Sequence, residues 1–178
     1  IRVKESDQNG LYPVKNIKID VDKETGMVSI YNDGEGISVE IHPKEKKYMP
    51  ELIFGELLTS SNYDQKEIKH VGGKNGYGAK LANIFSTKFV IETVDRIKNK
   101  KFLMTFYDNK KRKDKPKLTT YKQKPYTKIS YIADYERFKC DGLTDDMIML
   151  MKKRAFDLCA CTDSDVNIFF NEHKIDCK

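Results

Sequence analysis

Apolar and polar residues alternate along Asn16-Ile17-Lys18-Ile19-Asp20-Val21-Asp22 and again along Met27-Val28-Ser29-Ile30-Tyr31, with a turn-forming Lys23-Glu24-Thr25-Gly26 between them. Successive strand side chains point to opposite faces, so the pattern predicts a hairpin of two half-buried strands. Asn32-Asp33-Gly34-Glu35-Gly36-Ile37 then reads as a polar loop punctuated by glycine. Pro50 suits the first turn of a helix through Leu57, with Leu52, Ile53 and Phe54 on its apolar side. From Thr59 to Lys74 the chain is polar and without apolar period, and so long a loop inside a compact domain reads as a lid, at about 59–76. Tyr77, Leu81, Ile84 and Phe85 share one helical face, and Lys88 to Val94 returns as a strand.

Two more strands, Lys101 to Tyr107 and Thr127 to Ile132, flank a basic hairpin at about 108–118. Thr144 is a good N-cap, Asp145 and Asp146 suit the positive end of a helix, and Met147, Leu150, Met151, Ala155 and Leu158 form its buried stripe. Asp165 to Phe170 is a last strand that turns at Asn171-Glu172. Strands gathered in runs between isolated helices predict an α+β sandwich, not an alternating doubly wound sheet.

The densest chemistry lies in Gly72-Gly73-Lys74-Asn75-Gly76-Tyr77-Gly78-Ala79-Lys80-Leu81, where four glycines crowd the entrance to a helix. Glycine permits close backbone approach, and the first unpaired amides of a helix stabilise an anion, so the loop is a candidate phosphate cradle. Lys80 would add a full charge one turn in. A Walker A motif is excluded because Lys80 is followed by Leu81 and is not preceded by glycine, and Leu81 also replaces the third glycine of a dinucleotide fingerprint.

Composition narrows the options further. At 178 residues the chain can bury about two-thirds of its unfolded surface, and no run approaches the roughly 20 apolar residues of a membrane span. Cys140, Cys159, Cys161 and Cys177 lack the spacing of a zinc site and are expected to be buried thiols. His42, His70 and His173 form no pattern with a nucleophile. The net charge of +6 comes largely from Lys98–Lys101 and Lys110–Lys117, which serve either a polyanion or solubility.

Asp33-Gly34-Glu35-Gly36, Thr59-Ser60-Ser61-Asn62-Tyr63 and the Gly73-to-Lys80 loop together resemble the ATP site of the Bergerat-fold ATPases: gyrase, the Hsp90 chaperone, histidine kinases and MutL. Within that group, Leu57 to Tyr63 and Asn75 to Phe89 resemble the eukaryotic type II DNA topoisomerases. The resemblance implies a two-layer sandwich, a mixed and mostly antiparallel sheet with helices on one face, incomplete at the N-terminus. It implies that Asp33 contacts adenine, that Ser60, Ser61 and Asn62 reach ribose and phosphate oxygens, and that Gly73, Lys74, Asn75, Gly76, Tyr77, Gly78, Ala79 and Lys80 wrap the triphosphate. Lys74 stands where the family more often has arginine, and Ser38 where it has proline.

ATP and Mg²⁺ are the implied cofactors, duplex DNA and a second copy the implied partners of a parent enzyme, and the nucleus its implied location; no membrane is involved. The family's general-base glutamate and Mg²⁺-binding asparagine would lie on a helix preceding Ile1, and its transducer and DNA-cleaving domains beyond Lys178. Catalytic and metal-binding residues are therefore expected to lie outside this chain, and Glu5 and Asn9 lack the motif's spacing. Two alternatives remain. One is another Bergerat-fold ATPase, a chaperone or mismatch-repair clamp; the other is a non-enzymatic nucleic-acid module built on the basic hairpin.

Overall fold

The computed structural model describes residues 12–57 and 76–176. Strands β1 (Asn16–Asp22) and β2 (Met27–Asn32) form the expected hairpin, followed by helix α1 (Met49–Gly55), helix α2 (Gly78–Ile84), β3 (Ser86–Asp95) and β4 (Lys100–Tyr107). Then come β5 (Arg112–Lys113), β6 (Lys117–Thr120), β7 (Thr127–Ala133), helix α3 (Asp145–Cys161), β8 (Asn167–Phe170) and β9 (His173–Lys174). The strands form one sheet in the order β5-β4-β3-β7-β2-β1-β8-β9, with β6 also on β4; β1 and β8 pair in parallel and every other pair is antiparallel.

Register turns the alternation of single strands into rows. Ile19, Ile30, Ile129, Ile91 and Met104 align across β1, β2, β7, β3 and β4, and Val21, Val28, Tyr131, Phe89 and Phe106 align in the next row. All point to one face, which the helices cover. α3 closes a cluster with Val21, Val28, Ile168 and Phe170, while Phe54 of α1 and Ala82 of α2 pack on Phe89, Ile91, Met104 and Phe106. Tyr131 touches both clusters. The two-layer α+β sandwich, with a mostly antiparallel sheet and helices on one side, is therefore observed.

Between α3 and the sheet, at the edge of the first cluster, lies an apolar opening of about 450 Å³ bordered by Ile17, Ile19, Ile30, Tyr131, Leu150 and Leu158. Its rim leaves Ile30 43% and Leu150 58% exposed, so Leu150 departs from the buried stripe expected of α3. Thr144 does cap that helix, its hydroxyl accepting the Met147 N–H at 3.2 Å. α1 ends at Gly55, earlier than Leu57, where Glu56 turns to an extended backbone; Gly55 sits on the Phe106 ring, and a Cβ there would meet Cζ at 3.0 Å. The cysteines differ from expectation, since Cys140 is half-buried, Cys161 is exposed and Cys159 is disulfide-bonded. No helix among the described residues is long and apolar enough to cross a membrane.

On the open sheet face the Tyr126 hydroxyl donates to Glu92 at 2.6 Å, and Lys101 pairs with the same carboxylate at 3.0 Å. Burial, then the hydrogen bond to Glu92, pushes the Tyr126 hydroxyl up to about 12, against the opposing influence of Lys101.

Two predictions follow from this packing. Ile168→Ala, at a fully buried site, is expected to cost about 2–5 kcal/mol, whereas Ile97→Ala, at a residue 80% exposed, should stay within about 0.5 kcal/mol in the same urea titration. The folded chain also holds the Tyr126 proton more tightly than the unfolded chain, where the ordinary value is 10.0. That stabilisation is complete below pH 10 and is lost as pH rises toward 12. Tyr126→Phe should flatten this part of the curve of unfolding midpoint against pH.

Candidate functional site

Three adjacent strands carry a polar residue at the same inward position of the row that ends the apolar face. Asn32 on β2 aligns with Thr127 on β7, which aligns with Thr93 on β3. The two threonine hydroxyls lie 2.9 Å apart, and Thr93 Oγ1 also donates to the Tyr126 carbonyl at 3.1 Å while accepting the Ile37 N–H at 3.0 Å. Asp33 leaves β2 at this corner. Its Oδ1 accepts the Lys15 and Asn16 backbone N–H groups at 2.8 and 2.7 Å, and its Oδ2 accepts the Asn16 side-chain amide at 2.6 Å. A carboxylate has about four acceptor positions, so Oδ2 can still take one further N–H.

The loop after Asp33 is laid flat on the end of β3. Gly36 has φ +80°, and a Cβ there would fall 1.9 Å from the Val94 carbonyl oxygen, so no other residue fits this path. Val39 N–H donates to Asp95 at 2.9 Å, and Glu35 accepts both Tyr12 N–H at 2.7 Å and Arg96 Nε at 2.9 Å. These tethers hold the loop that follows Asp33 in place.

The second part of the site is the start of α2. Tyr77 precedes the helix with no side-chain cap, Gly76 has φ +66°, and a Cβ on Gly78 would meet nothing within 4 Å. Gly76, Tyr77, Gly78 and Ala79 are all exposed, so their amides face open space at the positive end of the helix.

Lys80 is only 4% exposed, which differs from a lysine reaching freely out of the loop. Burial, then the charge of Lys110, lowers its pKa, opposed by Glu56. Its neighbour Asn83 is fully buried and donates to the Phe54 carbonyl at 3.0 Å, while its own Oδ1 has no partner among the described residues. The buried face of α2 is therefore Lys80 and Asn83, with Tyr77 and Leu81 turned outward. Ser60, Ser61, Asn62, Gly73, Lys74 and Asn75, together with most of the expected lid, lie outside the described residues.

The basic hairpin is committed elsewhere. Lys110 donates to the Gly55 carbonyl, Lys113 pairs at 2.7 Å with the buried Glu51, and Arg112 lies over the Tyr107 ring at 4.2 Å. It staples the end of α1. Thr93, Thr127 and Asp95 were not singled out from sequence. Their signal was a polar residue closing each inward-facing series, Phe89-Ile91-Thr93-Asp95 and Thr127-Ile129-Tyr131, visible once the strands are aligned.

This sheet, with a loop on its edge and an uncapped helix start on the same side, has the fold of the gyrase-type ATPase domains. The fold matches the 43K ATPase domain of Thermus thermophilus gyrase B with a TM-score of 0.69 at 17% identity, over 98% of this chain and 42% of that one. A closer likeness, over most of this chain, is to the ATPase region of the type II DNA topoisomerases. The chain matches the ATPase region of Saccharomyces cerevisiae topoisomerase II with a TM-score of 0.87 at 42% identity, covering 92% of this chain and 43% of that one. It is 50% identical over 159 residues to DNA topoisomerase 2 of Acanthamoeba polyphaga mimivirus, and 45% identical over 166 residues to a putative mitochondrial DNA topoisomerase 2 of Caenorhabditis elegans. These matches cover 89% and 92% of the chain but only 12% and 14% of the relatives' length. No family model matches the chain.

Gly36→Ala combines a backbone clash with a left-handed φ. It is expected to lower stability by about 3 kcal/mol or more, measured by chemical denaturation, with hydrogen exchange at Ile37 and Val39 rising first.

Proposed function

We propose that this chain is the ATP-binding core of an ATP-dependent type II DNA topoisomerase, whose nucleotide-driven closure of two subunits powers passage of one duplex through a transient break in another. The observation that carries the reading is a carboxylate, Asp33, fixed by three N–H donors at the polar corner of an apolar ledge, on the sheet face that also carries the uncapped start of α2. An adenine would lie against Ile30 with its exocyclic amine directed at Asp33 and its edge toward Thr127. The triphosphate would run to the amides of Gly76 to Lys80, with Ser60, Ser61, Asn62, Gly73, Lys74 and Asn75 completing the cradle.

The donor set fits ATP: one carboxylate acceptor for the amine, backbone N–H groups for phosphate oxygens, and a lysine one turn into the helix. Bound ATP supplies a γ-phosphate that the protein senses and hydrolyses. Among the described residues, Glu35, Glu51 and Glu56 are each paired with a cation, and no group of three or more His, Cys, Asp or Glu could hold a metal. In this reading the general base and the Mg²⁺ ligand lie outside residues 1–178. Duplex DNA, a homodimer, Mg²⁺ and a nuclear location belong to this reading of the whole enzyme.

Titration with ATP, followed by amide resonances, tests it. Gly76 to Lys80 are expected to shift at millimolar nucleotide, and unmoved resonances overturn the reading. Gly78→Ala separates binding from folding: with open space around it the variant should hold or gain about 0.4–1 kcal/mol of stability, while its methyl group weakens ATP binding about ten-fold. Turnover well above background by residues 1–178 alone would refute the placement of the base.

A further inference from the structure

The sheet face turned away from the helices carries a cleft of about 570 Å³ whose walls include Lys18, Tyr31, Tyr121, Lys124, Tyr126 and Lys128. Alternation puts these residues opposite the nucleotide face: Lys18 pairs with Tyr31 and Tyr31 with Lys128, one position out of phase with the Ile19, Ile30 and Ile129 row. Glu92 also borders the cleft, but Lys101 and the Tyr126 hydroxyl occupy its oxygens. Lys18, Lys124 and Lys128 make no ion pair within 4.0 Å among the described residues; Asp20 borders the same cleft, and Glu92 faces Lys128 across the strands.

Lys18 and Lys101 are held in position by aromatic rings. Lys18 Nζ lies 5.8 Å from the centroids of both Tyr31 and Phe169, and Lys101 Nζ lies 6.0 and 5.8 Å from those of Tyr121 and Tyr126. A cation over a ring loses rotamer freedom while keeping its charge. Lys18 and Lys128 stand two strands apart, about 10 Å between backbones. That is a fixed spacing of positive charge on a rigid sheet, able to reach phosphates on both sides of a DNA groove.

The rings themselves are engaged, Tyr31 against Tyr126 at 5.5 Å and Tyr126 against Tyr121 at 6.0 Å. Single-strand readers need free ring faces for base stacking. These rings are covered by neighbours and ammonium groups, so the surface presents charge and offers no stacking platform. The basic hairpin is a weaker candidate, because Lys110 and Lys113 are spent on α1.

We propose that this outer sheet face docks the phosphate backbone of duplex DNA through Lys18, Lys124 and Lys128. The inference goes beyond the nucleotide pocket and uses the opposite side of the sheet, so either can fail alone.

The test is fluorescence anisotropy with a 30-base-pair duplex and a 30-nucleotide single strand across a salt series. Lys18→Glu/Lys128→Glu is expected to weaken duplex binding at least about ten-fold and to reduce the slope of log affinity against log salt by about 1.8. Lys111→Glu/Lys115→Glu, an equal charge change on the exposed hairpin, should cost less than about three-fold. Lys18→Gln/Lys128→Gln should show the same slope change, which guards against a folding defect in the reversed variant. ATP-dependent amide shifts should survive in all three. Equal losses from the two charge-reversal pairs, an unchanged slope, tighter binding of the single strand, or equal competition by polyglutamate would each overturn the proposal.

Discussion

The approach of Gly36 to the Val94 carbonyl is the contact on which the site's geometry rests. A loop lying that close to a strand end cannot carry a side chain at the crossing point, and its neighbours must supply the hydrogen bonds that the strand no longer makes. Thr93 and Asp95 do so through Ile37 N–H and Val39 N–H, and Glu35 ties the other side to Tyr12 and Arg96. Asp33 is thereby fixed at the corner of the sheet with its own carboxylate anchored to β1. A flexible loop would lose that preorganisation, because each ordering event on binding subtracts from affinity.

The core divides the helical face into two unequal parts. One cluster is closed by α3 and the other by α1 and α2, with Tyr131 common to both. Burying side chains of this size contributes about 1.5–3 kcal/mol each, so the two clusters stabilise the sheet while the opening beside α3 stays unfilled. Ile30 and Leu150 remain exposed on its rim. Beyond Ile30, Ile129 and Ile91 the same face ends in a polar row of Asn32, Thr127 and Thr93.

Much of this architecture was legible in the chain. Period-two alternation marked β1, β2, β4 and β7 because each has one dry and one wet face, and the Thr144 cap marked the start of α3. What escaped was information that exists only across strands. Thr93 and Thr127 look like ordinary strand residues until register sets them side by side. The face of α2 was misread for a related reason: Tyr77 and Leu81 have the expected apolar spacing, yet Lys80 and Asn83 are buried, because Asn83 finds a carbonyl of α1 that local sequence does not reveal. The hairpin lysines read as a free cationic patch, but two of them are held by the end of α1.

That last arrangement bears on the proposed nucleotide site. α1 has no basic residue in its last turn, so its negative end is met from outside, by Lys110 on the Gly55 carbonyl and by Lys47 on Glu56. Lys80 is buried close enough for the Lys110 charge to lower its pKa. The Lys110 charge disfavours the Lys80 ammonium, and an anion placed at the start of α2 would favour it while accepting the open amides. A phosphate would thus be favoured by two effects at once, and the hairpin contributes by holding its charge where the loop can feel it. The same logic separates the two faces of the sheet. Lys80 on the helical side is buried, whereas Lys18 on the outer side is exposed and lies against two aromatic rings.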